Sequence, residues 1–133
     1  IGADTIVVLG DNILEKPKDK AEAKYMLQTL SGETHQVYTG VCLKWADREI
    51  HHLFAEITTV TFRNLDEKDI VHYIETCQPY DKAGAYGIQD WSAVFVKEIR
   101  GCYDNVVGFP LSRFYQELKK LEINLLDTIS ESS

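Results

Sequence analysis

The chain has 133 residues, of which 44% are hydrophobic and 26% charged, with 14 Lys and Arg against 21 Asp and Glu. That length suits one domain with a sizeable core, and the composition is that of an ordinary globular protein. The net charge of −7 and a pI near 5.0 exclude a surface that wraps nucleic-acid backbone, while a local basic pocket can still hold a single nucleotide.

Ala3 to Leu9 gathers Thr5, Ile6, Val7 and Val8 and predicts a strand buried on both faces. Gly10-Asp11-Asn12 is a turn signal that returns Ile13-Leu14 antiparallel. Asp19 and Glu22 have capping-box spacing. Ala23, Met26, Leu27 and Leu30 then mark one helical face, and Gly32 stops the helix. From Thr34 to Ala46, Val37, Thr39, Val41, Leu43 and Trp45 share a strand face; Glu49 to Phe62 reads as a second long strand, so the pair forms a hairpin. His51 and His52 are adjacent on it and point to opposite faces, which rules out joint chelation of one metal from one side. His35 and His72 lack a partner at ligand spacing. Asp66 and Asp69 start a helix with Ile70, Ile74 and Cys77 inward and Glu67, Lys68 and Glu75 solvated, which Pro79 ends. Ala93 to Ile99 predicts a strand and Arg100 to Gly108 a loop or short paired segment. Pro110 opens a last helix with Leu111, Phe114, Leu118 and Leu121 inward. Alternating strands and helices give an α/β domain.

Cys42, Cys77 and Cys102 are far apart and without CxxC spacing, which points to reduced thiols rather than a disulfide framework or zinc site. No apolar run reaches the roughly 18–20 residues of a membrane span. The expected location is the cytoplasm, with neither a membrane nor a nucleic-acid polymer as partner.

Chemistry concentrates in Pro79-Tyr80-Asp81-Lys82-Ala83-Gly84-Ala85-Tyr86-Gly87-Ile88-Gln89, between the second predicted helix and the Ala93 strand. Two glycines and small neighbours allow positive φ and close approach of a ligand. Lys82 is a mobile cation suited to phosphate, and the Gln89 amide both donates and accepts. The plainer reading is a tight connection between core elements, with Asp81 and Lys82 solvated or paired with each other.

Other stretches join that loop in a fixed order. They are Gly2-Ala3-Asp4-Thr5, Lys16-Pro17-Lys18-Asp19, Leu30-Ser31-Gly32 with Tyr38-Thr39-Gly40-Val41, and Asn105-Val106-Val107-Gly108-Phe109-Pro110-Leu111. From Gly2 to about Leu121 the set resembles the Maf family, nucleoside triphosphate pyrophosphatases historically linked to septum formation. Three places depart from the family pattern: Gly10-Asp11 where Asp-Gly is usual, Glu15 in place of a frequent glycine, and Asp90-Trp91 after the glutamine.

The resemblance implies an elongated mixed β-sheet with flanking helices and a nucleotide cleft, as in inosine triphosphate pyrophosphatase. It also implies an arm ahead of Ile1 with a Ser-x-Ser-Pro-Arg-Arg signature. The chain is accordingly expected to be a single Maf-like domain, N-terminally incomplete, with a frayed tail at 122–133. Asp4 matches the family's proton acceptor, Lys16 a lysine that serves the phosphates, and Lys82 a second cation. Thr5 and Gln89 match the subgroup acting on dTTP and UTP; the 7-methyl-GTP subgroup carries Ser-Asp-Gln and a different loop. Magnesium or manganese is implied as cofactor, with ligands that the sequence leaves open, as it does a homodimer. On the residues alone Asp4 could instead cap or pair locally, although a carboxylate inside an apolar strand is costly unless satisfied. Lys16 could be an ordinary surface lysine before proline. The function implied is hydrolysis of dTTP or UTP to the monophosphate and pyrophosphate. The alternative is a non-catalytic nucleotide-binding or regulatory protein linked to cell division.

Overall fold

Residues 1–121 are described by a computed structural model, and the tail expected at 122–133 lies outside the described residues. Five strands form one open sheet in the order β2-β1-β3-β4-β5. They are β1 (Gly2–Leu9), β2 (Asn12–Leu14), β3 (Thr34–Trp45), β4 (Ile50–Phe62) and β5 (Val96–Arg100). The helices are α1 (Lys20–Leu30), α2 (Glu67–Cys77), α3 (Tyr103–Val107) and α4 (Leu111–Lys120). The α/β class is as expected. The resemblance implied a mixed sheet, whereas every pairing among the described residues is antiparallel. Two of these pairings follow from the tight turns at Gly10-Asp11 and Ala46–Arg48, which can join only antiparallel neighbours.

Alternation along β3 decides which face is covered. His35, Val37, Thr39, Val41 and Leu43 are buried, while Gln36, Gly40 and Lys44 between them are exposed. Asp19 caps α1 by accepting from the Glu22 N–H at 2.8 Å. Asp66 caps α2 by accepting from Lys68 N–H at 2.7 Å. The apolar stripes these caps start bury Leu27, Leu30, Ile70, Tyr73 and Ile74 against Val7, Val37, Val60 and Phe62, each side chain stabilising by roughly 1.5–3 kcal/mol. A second cluster joins Val41, Leu43 and Phe54 to Phe114 and Leu118 of α4. Between the clusters sits Asn105, fully buried, whose Nδ2 donates within the reach of Val37 O (3.1 Å), Glu56 O (3.2 Å) and Thr58 Oγ1 (3.0 Å).

Four local expectations are corrected. β1 is not buried on both faces: Gly2, Ala3 and Asp4 are exposed and Val7 is the buried member, because β2 pairs only with Val7–Leu9. Ala93 to Phe95 belong to a 3-10 turn, Trp91–Phe95, started by Asp90, whose carboxylate accepts from Ser92 N; the strand begins at Val96. The segment before Pro110 contains the short helix α3, set between Gly101 (φ +118) and Gly108 (φ +136). In α4, Leu111 is exposed and Glu117 takes an inward place. That carboxylate accepts from Arg113 Nε (2.7 Å), His52 Nε2 (2.8 Å) and Lys120 Nζ (3.3 Å). These donors hold it at about 2, well below the usual carboxylate range.

The buried His35 makes one hydrogen bond, Nε2 to the Tyr86 hydroxyl at 2.7 Å, and its Nδ1 has no partner. Phe62 and Tyr86 enclose it edge-on, and burial pushes its pKa from 6.5 down to about 4. The unfolded chain therefore takes up this proton first as pH falls, so its contribution is whole above pH 6.5, shrinks below it and is gone near pH 4. It amounts to about 3 kcal/mol. Urea midpoints should drop across that window, and the His35 ring resonance should titrate below pH 5; titration near 6.5 in the folded protein would contradict this.

Candidate active site

The missing neighbour along the first half of β1 is what opens the site. Because β2 stops short, the Ala3–Thr5 edge has no strand beside it among the described residues, and side chains from both faces reach one hollow around that edge. The hollow has a volume of about 260 Å³, and its wall includes Asp4, Thr5, Lys16, Asp81, Lys82 and Tyr86. A smaller one of about 170 Å³ adjoins it, shares Lys82 and Gly87, and is lined by Ile88, Gln89 and Asp90. The five site residues expected from sequence thus fall on two connected hollows: Asp4, Thr5, Lys16 and Lys82 on the first, Lys82 and Gln89 on the second.

Small residues draw these distant segments together. Gly84 adopts φ +71, and a Cβ there would stand 3.0 Å from Val7 Cγ2, so the loop rests directly on β1. The Gly84 N–H donates to Glu15 O at 3.1 Å, which brings the Lys16 segment alongside. Gly87 lies under the Lys82 stem; a Cβ on it would overlap Lys82 Cε and Cδ.

Asp4 is exposed on the strand. The desolvation cost expected of a carboxylate inside an apolar strand is therefore not borne there, and a water or cation can reach its oxygens. Thr5 Oγ1 lies 2.9 Å from Thr39 Oγ1. Thr39 is fully buried, so donation from Thr39 satisfies its proton and leaves the Thr5 O–H for a ligand. Lys82 Nζ is 3.5 Å from Asp81 Oδ1, with the Asp81 side chain 80% exposed. Such a pair is weak, and the lysine can turn to a phosphate instead. Among the described residues no group of three or more His, Cys, Asp and Glu is arranged to hold a metal.

Sequence reasoning missed the groups that hold the loop. Ser92, fully buried, places Oγ 2.6 Å from Gly87 O and from Asp90 Oδ1 and accepts from Gly87 N at 3.1 Å. Tyr73 donates to Asp90 Oδ2 at 2.9 Å. The signal for this knot was Asp90 two residues before Ser92, an Asx-turn spacing. The pairing of Tyr86 with His35 had no local signal, since 51 residues separate them.

An open strand edge that gathers two lysines, two aspartates and a Gly-rich loop defines a class of α/β domain, one with a charged hollow open to a small ligand. The comparison with known proteins narrows that class: residues 1–121 match the family described as Maf-like protein, and the chain belongs to that family. It is 53% identical over 122 residues to a dTTP/UTP pyrophosphatase of Bacillus cytotoxicus, covering 92% of this chain and 63% of that protein. A dTTP/UTP pyrophosphatase of Carboxydothermus hydrogenoformans is 49% identical over 120 residues, covering 90% and 64%. One from Agathobacter rectalis is 49% identical over 128 residues, covering 94% and 62%. The chain spans somewhat under two thirds of the length of these relatives.

The Gly87–Lys82 packing gives a direct test. The Gly87→Ala side chain overlaps only the flexible lysine stem, with Asp90 Oδ2 next at 3.3 Å, so melting temperature should move by no more than about 3 °C. Affinity for tripolyphosphate should fall roughly tenfold as Lys82 is displaced. Calorimetric titration showing parental affinity would mean that Lys82 does not meet the anion.

Proposed function

We propose that this chain carries the core of a nucleoside triphosphate pyrophosphatase acting on dTTP or UTP in the cytoplasm. The observation that carries the reading is the gathering of Asp4, Thr5, Lys16 and Lys82 around one hollow, with Gln89 on the next. The names of the relatives at about half identity support it.

In this reading the triphosphate lies against Lys16 and Lys82, which meet part of its negative charge, and the Thr5 hydroxyl donates to a phosphate oxygen. Asp4 orients a water toward the α-phosphorus and accepts its proton as the new P–O bond forms. The bond from the α-phosphorus to the bridging oxygen breaks, and pyrophosphate leaves with that electron pair. The base extends into the smaller hollow, where the Gln89 amide can pair with the carbonyl and imide N–H of a pyrimidine.

The donor set fits a divalent cation carried in with the substrate. Two aspartates and two lysines leave the wall without net charge, so they do not by themselves offset a triphosphate. Magnesium is commonly held by one or two carboxylates plus substrate phosphates, and Asp4 and Asp81 are the carboxylates here. When bound, the cation would supply charge neutralisation and Lewis-acid polarisation of phosphate oxygens.

Two experiments on the protein as its gene encodes it test this. A substrate panel should show dTTP or UTP hydrolysed well ahead of ATP and 7-methyl-GTP, and Gln89→Leu should narrow the gap; the reverse order removes the assignment, and no turnover of any triphosphate favours a regulatory protein. Asp4→Asn should lower turnover by roughly 10²–10⁴-fold while stability stays within about 0.5 kcal/mol, as for other exposed positions. Near-normal turnover in that variant would eliminate Asp4 as the proton acceptor.

A further inference from the structure

Between Lys82 and Gln89 the backbone runs through a conformation its sequence does not favour. Ala85 has φ +66 and no exposed surface, and it follows Gly84 at φ +71. An alanine in this region is strained, and the strain persists only where neighbours fix it. On the upstream side the turn is tied by Ala85 N–H to Lys82 O at 3.1 Å and by Gly84 N–H to Glu15 O at 3.1 Å.

On the downstream side there are two ties: Ser92, which holds Gly87 by its N–H and C=O, and Tyr86, which alone of the two reaches from the turn into the central strands. Tyr86 lines the hollow, and its hydroxyl meets the buried His35 Nε2 at 2.7 Å. Tyr86 packs edge-on against Phe62, with ring centroids 4.8 Å apart, and is 5% exposed. His35 sits on β3 paired with Val60 of β4, so the bond fastens the loop to the central strands. One residue further on, Gly87 supports the Lys82 stem. Tyr86 thus stands between the strained residue and the glycine that sets where Lys82 lies.

We propose that Tyr86 is a positioning residue for Lys82: its hydroxyl, anchored on His35, holds the strained Gly84–Ala85 turn and thereby fixes the lysine in the phosphate hollow. Burial keeps the Tyr86 phenol well above its ordinary range and His35 down at about 4. Both partners are therefore neutral near pH 7, and the anchor persists throughout the working range. The catalytic consequence rests on the pyrophosphatase reading; the positional claim does not.

Tyr86→Phe removes one oxygen and keeps the ring. In the protein as its gene encodes it, KM for the hydrolysed nucleotide should rise about tenfold with kcat changed less than about twofold, the pattern of lost uniform binding. In a Lys82→Ala background the same change should add nothing, whereas a general structural defect would add its full effect. Ala85→Gly relieves the strain that the anchor must hold. The Ala85→Gly/Tyr86→Phe protein should accordingly recover most of the lost affinity, and should fold even if Tyr86→Phe alone does not. A double variant as impaired as Tyr86→Phe alone overturns the proposal. A second readout needs no turnover: in nucleotide-free protein the Lys82 Cε resonance should shift in Tyr86→Phe and return toward the parental position in the double variant. An unmoved Lys82 resonance overturns the proposal by itself. Failure of the parent to hydrolyse any nucleotide, with the Lys82 resonance behaving as stated, removes the pyrophosphatase reading and leaves the positioning role in place.

Discussion

The alternation of β3 is the constraint from which the other elements take their places. This strand pairs with β1 on one side and β4 on the other, so its period of two fixes which residues of all three strands share the covered face. Val37 puts Val7 and Thr58 beside it, Thr39 puts Thr5 and Glu56 beside it, and Val41 puts Ala3 and Phe54 beside it. A slip of one residue would turn His35 and Thr39 outward and Gln36 and Gly40 inward. The anchor of the loop and the hydroxyl partner of Thr5 would go together. Fold and site therefore depend on the same register.

That register also divides the interior. Apolar rows at Val37 and Val41 flank a polar row at Thr39, with Asn105 bridging between the strands' carbonyls next to it. The larger cluster beneath α1 and α2 carries the Gly-rich loop, and the smaller one beneath α4 carries the Glu117 network. Buried polar groups of this kind stabilise little in net terms, but leaving one unpaired is costly, so they discriminate against alternative packings. The site lies at the border of the larger cluster, whose Val7, Val37 and Tyr86 line it, where Thr5 leads from the polar row to the surface.

Much of the framework was legible in the residues themselves. Both long strands, the hairpin and the caps of α1 and α2 follow from periods and cap chemistry, and the motif order carried the family assignment. The misreadings have physical causes. β1 is apolar in composition, and its short return at Ile13-Leu14 is expected, but composition does not show that the strand's first half is left exposed beyond that return. Glu117 defeats a hydrophobic count because His52, 65 residues away, and Arg113 meet its charge. Ala93 to Phe95 carry strand-forming residues, yet the Asp90 cap imposes a turn first. Asp4, Thr5, Lys16 and Lys82 could be named from motifs; that they share one hollow depends on pairings between distant segments.

What brings those segments together is largely the absence of side chains. Gly84 lets the loop reach Val7 and so closes the distance between β1 and the loop, while Gly87 gives room to the Lys82 stem within the loop. Glycine also loses more conformational freedom on folding than other residues, and a loop built from it would wander unless tied at both ends. Ser92 binding both the N–H and the C=O of Gly87 provides one tie, and Tyr86 on His35 provides another. The hydroxyls that hold the loop thus lie beneath it, while the charged groups on the wall stay unencumbered by strong internal pairs. That division suits the proposed triphosphate: rigid backbone set by buried neutral groups, and mobile charges whose own pairing is weak enough for a ligand to replace.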